Sequence, residues 1–213
     1  MIISHGKKFI FIHNYKVAGT SMRQALKSHN DQSFLKCSLD SKFKFLLGSY
    51  PKIYSSQFDG HSTALEIKNK IPAEVFDSYY KFGFVRNPWD WQVSLYTYML
   101  KSPNHYQHEL ITSLGSFEKY LDWRIHNELR LQKRFFYDEQ NNCLVDFIGK
   151  MEQLNEDLDT IGRKLGITID LPHLKKSRKN NSFSQHYTER TIDLVNEAFA
   201  EDIKTFGYTK PSL

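Results

Sequence analysis

A chain of 213 residues that is 40% hydrophobic and 25% charged is long enough to bury one substantial core, and a 15% aromatic content excludes a disordered or fibrous chain. Its net charge of +5 favours an anionic partner but does not choose among nucleic acid, membrane surface, polysaccharide and phosphorylated small molecules. Two cysteines, Cys37 and Cys143, exclude a disulfide framework and a thiolate metal site, and are best read as reduced thiols of a cytoplasmic protein.

Met1 to Lys8 carries charge without an apolar run, and no stretch elsewhere approaches the roughly 20 apolar residues of a membrane span, so a leader or anchor is not expected. Phe9-Ile10-Phe11-Ile12 reads as a buried strand. The turn Lys16-Val17-Ala18-Gly19-Thr20-Ser21 follows, then a helix over Met22 to Ser28. Ile71 to Tyr80 is a connecting segment, and Lys81 to Val85 a second strand. Asn87 is placed to cap a helix that Pro88 opens and that runs to about Leu100. Cys143 to Ile148 is a third strand, followed by a helix from about Glu152 to Leu165 that stops at Gly166. A last helix starts at Thr188, places Ile192, Val195, Phe199 and Ile203 on one face, and ends at Gly207. Strands alternating with helices predict an α/β fold with a mainly parallel sheet, helices on both faces and ligands beyond the carboxyl ends of the strands. A single domain over residues 1–213 is expected.

Two segments carry chemistry. In His13-Asn14-Tyr15-Lys16-Val17-Ala18-Gly19-Thr20-Ser21, a strand-to-helix turn can aim backbone N–H groups and two hydroxyls at one anionic group, with Lys16 adding a full charge. The lysine precedes Gly19, whereas a Walker A loop places it after the second glycine; a nucleotide kinase is therefore disfavoured. An ordinary βα turn with a surface lysine remains the alternative. In Phe84-Val85-Arg86-Asn87-Pro88-Trp89-Asp90-Trp91-Gln92-Val93-Ser94, Arg86 sits at a strand end and Ser94 about two turns into the helix, so both can reach one phosphate. Trp89, Val93 and Tyr96 have the spacing of a core-facing stripe, and the helix dipole accounts for Asp90.

Together these segments resemble the 5′-phosphosulfate loop and the 3′-phosphate segment of sulfotransferases that use 3′-phosphoadenosine 5′-phosphosulfate (PAPS), most closely the carbohydrate-type branch, whose patterns read like H-x-P-K-x-A-G-T-S and F-x-V-R-N-P-x-D-R-x-x-S. The C-terminal third is also similar to that family, through Asp146-Phe147-Ile148-Gly149 with Glu152 and Leu154, Leu171-Pro172-His173-Leu174 with Ser177, and Asp202-Ile203 with Phe206-Gly207-Tyr208. Residues 30–60 and 101–140 carry no nameable motif of that family. The resemblance implies a three-layer α/β/α sandwich of the P-loop nucleotide-binding kind and in-line transfer of a sulfuryl group from PAPS, without a metal, to a hydroxyl of a carbohydrate-like or small-molecule acceptor. It puts Lys16, Ala18, Gly19, Thr20 and Ser21 on the 5′-phosphosulfate, Arg86 and Ser94 on the 3′-phosphate, and Ser177 in a segment closing over the nucleotide. Tyr15 stands where the family has proline, and Trp91 where it has arginine.

His61, in Asp59-Gly60-His61-Ser62, precedes the Arg86 strand at about the distance at which related enzymes carry a histidine base, and imidazole titrates in the useful range. His61 is therefore the expected base, Lys16 the second catalytic group, and His13 the runner-up base. His105 and His108 suggest a metal pair but have no evident third ligand. The basic run Lys175 to Lys179 reads as a solvated loop or nucleotide lid rather than a nucleic-acid patch, because it lacks interleaved aromatics. A non-catalytic nucleotide-binding protein of the same fold is the rival reading. The acceptor and the oligomeric state are left open.

Overall fold

The computed structural model describes residues 1–30, 58–171 and 183–213. In chain order these form β1 (Ile2–Ser4), β2 (Phe9–Ile12), α1 (Gly19–Ala25), α2 (Ala64–Lys70), α3 (Ala73–Ser78), β3 (Tyr80–Val85), α4 (Pro88–Lys101), α5 (His108–Leu114), α6 (Phe117–Asn127), β4 (Phe147–Lys150), α7 (Leu154–Leu165), α8 (Glu189–Ala198) and α9 (Ala200–Phe206), with short 3₁₀ turns between. Contacts divide the chain into two compact units: residues 1–85 with 134–174, and residues 86–133 with 175–213. No helix among the described residues is long and apolar enough to cross a membrane.

The first unit holds the sheet, in the order β1-β2-β3-β4. Strands β2, β3 and β4 run parallel, with Phe11 opposite Phe82 and Phe82 opposite Phe147. β1 is antiparallel to β2. The alternation of side chains along a strand sends Phe9, Phe11, Phe82 and Phe84 to one face, where they pack with Met22 of α1 and Leu154, Leu158 and Ile161 of α7. Each such fully buried side chain contributes about 1.5–3 kcal/mol of transfer free energy. The other face carries Ile10, Ile12, Lys81 and Gly83. There the Lys81 ammonium lies over the Phe76 ring of α3, donates to the carbonyls of Phe76 and Tyr79, and pairs with Asp146 at 2.9 Å. Any Cβ on Gly83 would overlap the Phe136 ring. Helices thus flank a central, mainly parallel sheet, as the order of elements predicted.

β4 differs from its expected position. Leu144 donates to the Phe136 carbonyl and Cys143 bridges Tyr137, so the apolar start of Cys143 to Ile148 is bonded elsewhere. Pairing with β3 begins where Asp146 N–H donates to Lys81 O and Asp146 Oδ2 accepts from Lys81 N–H. β1, whose short Ile2–Ser4 segment gave no pattern, is an addition, as are α2, announced by a Thr63/Glu66 capping box, and α3 within the expected connector.

The second unit is helical. The Asn87 side chain caps α4 by accepting from Trp89 and Asp90 N–H, with Pro88 in the first position. Trp89 is fully buried: its indole N–H donates to Ile192 O, and its own carbonyl accepts from the Tyr187 hydroxyl. Trp91 is also fully buried, edge-on to Phe199. The expected terminal helix breaks at Phe199 (φ −107°, ψ 22°), giving α8, capped by Thr188, and α9, which ends at Gly207.

Candidate functional site

The segment between β2 and α1 is held by side chains rather than by regular backbone pairing. Asn14, fully buried, donates through Nδ2 to the carbonyl of Phe84 at the end of β3 and accepts the Tyr15 N–H at 2.7 Å. Lys16 and Ala18 both adopt left-handed backbone, each with φ 57°. Two such residues within three positions bend the chain sharply, the kind of turn that gathers successive N–H groups on one side. Ala18 fills the N-cap position of α1, and no side chain caps that helix. Lys16, Ala18 and Ser21 are half-buried, Gly19 is buried and Thr20 is exposed.

The loop rests on two histidines. The His13 ring occupies the place where a side chain on Gly19 would stand, so glycine is required there by close approach and not by a turn. His13 Nδ1 is buried with no hydrogen-bond partner among the described residues. Burial first, then the facing His61 ring, pushes its pKa down to about 3. So weak a base is poorly matched to proton abstraction near neutral pH. His61 lies 4.3 Å from it, ring centre to ring centre, and is half-buried. Its Nδ1 is 3.0 Å from the His13 carbonyl, which can only accept; the proton is therefore on Nδ1 and the lone pair on Nε2. Burial lowers its pKa as well, with the hydrogen bond to His13 O opposing the shift. Tyr15 stacks on His61 with ring centres 4.0 Å apart and meets Phe135 edge-on. An aromatic stack thus braces the turn at the position where related loops have proline.

A cleft of about 450 Å³ opens beside α1, lined by Ile2, Thr20, Arg23, Gln24, Lys27 and Asn30. Neither Arg23 nor Lys27 has an ion-pair partner among the described residues. The sequence did not single out this face, because exposed cations on a helix are usually only solvated.

In the second unit, Arg86 is the first residue after β3 and is half-buried. Its Nε pairs with Asp90 Oδ2 at 2.7 Å, so Asp90 does more than complement the helix dipole. Its main chain is clasped by Gln132, whose Oε1 accepts the Arg86 N–H at 3.0 Å and whose Nε2 donates to the Arg86 carbonyl at 2.7 Å. Ser94 is half-buried two turns further along α4. Gln132 lies in a stretch that matched no pattern, and its role rests on a contact 46 residues away. Ser177 and the run Lys175 to Lys179 lie outside the described residues. His108 Nδ1 bonds the Met99 carbonyl and His105 stacks on Tyr106. Among the described residues no three His, Cys, Asp or Glu side chains are grouped to hold a metal ion.

The parallel sheet, the tightly bent turn bearing Lys16 after β2 and Arg86 directly after β3 are the features through which the sequence resembles a known family. The model of the sulfotransferase family matches residues 1–209, and the chain belongs to that family of PAPS-dependent enzymes. Over 107 residues it is 33% identical to an uncharacterized protein of Archaeoglobus fulgidus, a match covering 49% of this chain and 82% of that one. The crystal structure of mouse sulfotransferase SULT7A1 complexed with PAP aligns over 95% of this chain and 86% of that chain, with 16% identity and a TM-score of 0.45, a likeness too loose to carry residue roles across.

Proposed function

We propose that this sulfotransferase moves the sulfuryl group of PAPS to a hydroxyl of a carbohydrate-like or small-molecule acceptor by in-line displacement, with residues 1–213 acting as one catalytic domain and His61 as the base. The observation that supports this reading is the hydrogen bond of His61: Nδ1–H is engaged by the His13 carbonyl, which leaves Nε2 as the ring's proton acceptor. His61 Nε2 takes the acceptor's proton as that oxygen bonds to sulfur. The bond from sulfur to the bridging oxygen breaks, and Lys16, with the backbone N–H groups of Ala18 to Ser21, stabilises the negative charge on the departing phosphate. Arg86 and Ser94 hold the 3′-phosphate, and Ser177 belongs to the segment that closes over the nucleotide. The cleft beside α1, rich in hydrogen-bonding groups, suits a polyhydroxylated acceptor.

Thermal melting with 3′,5′-adenosine bisphosphate (PAP) and with AMP tests the donor assignment. At about 100 times Kd, PAP should stabilise the fold by about 2.7 kcal/mol, and AMP at the same concentration much less. Equal shifts with both nucleotides would remove the 3′-phosphate role of Arg86.

A further inference from the structure

An arginine that selects one phosphate must be presented in one orientation, and a residue between a strand end and a helix has no ladder to fix it. Here three hydrogen bonds from two side chains supply it. Gln132, fully buried, makes the two-point clasp on the Arg86 main chain, and Asp90 holds the side chain at Nε. Gln132 is itself held from behind. Its backbone N–H donates to Asp202 Oδ2 at 2.7 Å, and the Lys133 N–H donates to Oδ1 of the same carboxylate at 2.9 Å. Asp202, on α9, is fully buried. An interior carboxylate is costly to desolvate, so its presence needs a reason; here both its oxygens are engaged by two successive amides of the segment that clasps Arg86. All of these residues belong to the second unit.

We propose that Asp202 and Gln132 are positioning residues for Arg86: Asp202 pins the main chain at residues 132–133, Gln132 clasps the Arg86 backbone, and the protein's preference for a nucleotide bearing a 3′-phosphate depends on both. The proposal rests on the reading of Arg86 as the 3′-phosphate ligand. Its consequence is selective. Loosening the clasp weakens the interaction that PAP makes and AMP lacks, whereas general damage to the fold weakens both alike. The direction of charge separates it from plain electrostatics. Asp202→Asn removes a negative charge, which by itself favours an anionic ligand, so weaker PAP binding in that variant reports geometry.

The experiment is calorimetric titration of PAP and AMP into the wild type, Asp202→Asn, Gln132→Met, Arg86→Ala and the double variant Arg86→Ala/Asp202→Asn. The ratio of the two affinities is insensitive to the fraction of folded protein, and Gln132→Met carries the test alone if Asp202→Asn does not fold. We expect PAP affinity to fall about tenfold, equivalent to about 1.4 kcal/mol, in each of the two positioning variants, with AMP within about twofold of the wild type. Adding Asp202→Asn to Arg86→Ala should leave the ratio where Arg86→Ala put it. An unchanged ratio in both positioning variants, or equal losses for PAP and AMP, overturns the positioning role while leaving the Arg86 reading intact. A wild type that does not prefer PAP overturns both.

Discussion

His61→Asn separates the two things that the His61 ring does. The Asn Nδ2 falls close to the place of imidazole Nδ1, so the hydrogen bond to the His13 carbonyl, 3.0 Å in the wild type, has a donor to replace it. What disappears is Nε2, together with the stacking on Tyr15 and the tilted ring contact with His13. Loss of stacking should cost about 0.5–1.5 kcal/mol of stability, too little to unfold an ordinary domain. Loss of a positioned base should lower kcat by about 10²–10⁴-fold. The assay is steady-state transfer from labelled PAPS across pH, with PAP binding measured on the same samples. Because burial holds the His61 pKa below its ordinary value, the wild-type rate should fall with decreasing pH only below about 6.5, and this acidic limb should vanish in the variant. A variant that binds PAP normally and turns over within about threefold of the wild type would refute the assignment. If His13→Asn were then inactive but folded, the base role would pass to His13, despite a pKa near 3.

Lys16→Ala should lower kcat by about 10²–10³-fold with a smaller change in PAP affinity, as for removal of one preorganised transition-state donor; collapse of binding with kcat intact would make Lys16 a binding residue only. Trp91→Arg, which restores the residue seen in related patterns, should destabilise the fold by at least the 3–5 kcal/mol typical of deleting a buried aromatic ring, because Trp91 is fully buried against Phe199; urea unfolding measures it, and a loss under about 1 kcal/mol would contradict the packing. Burial raises the Asp202 pKa to about 6 from 3.8, so between these values the folded state holds the extra proton and acidification stabilises it through this group. The stability of the wild type relative to Asp202→Asn should therefore rise by up to about 1.4 kcal/mol per pH unit as pH falls from about 6 toward 3.8, and a difference independent of pH would contradict the shift.

The parts of the fold legible in the sequence are those whose signal is local. Phe9 to Ile12 and the run ending at Val85 are continuous apolar strands, Asn87-Pro88 announces α4, and Gly166 ends α7 in left-handed backbone. Leu144 and Val145 look like the start of β4, but the backbone around them pairs with residues 136–137, a choice made by tertiary contacts. The break at Phe199 was hidden because the apolar period runs through it unaltered. At the candidate site, Lys16, Gly19 and Arg86 stand in recognisable turns. The stack of Tyr15 on His61 and the clasp of Gln132 on Arg86 join residues 46 positions apart and leave no pattern in one sequence. Tyr15 and Trp91, which depart from the family's patterns, turn out to have structural partners of their own: an imidazole ring for one and a buried phenylalanine for the other.

Sulfuryl transfer itself is tested most directly by following the label of sulfur-labelled PAPS in the presence of a panel of sugars and phenols. Label should appear on a hydroxyl-bearing acceptor with PAP released in equal amount, and both should be lost in Lys16→Ala and His61→Asn. Tight PAP binding with the label retained on the nucleotide across the panel, or transfer undiminished in both variants, would contradict it.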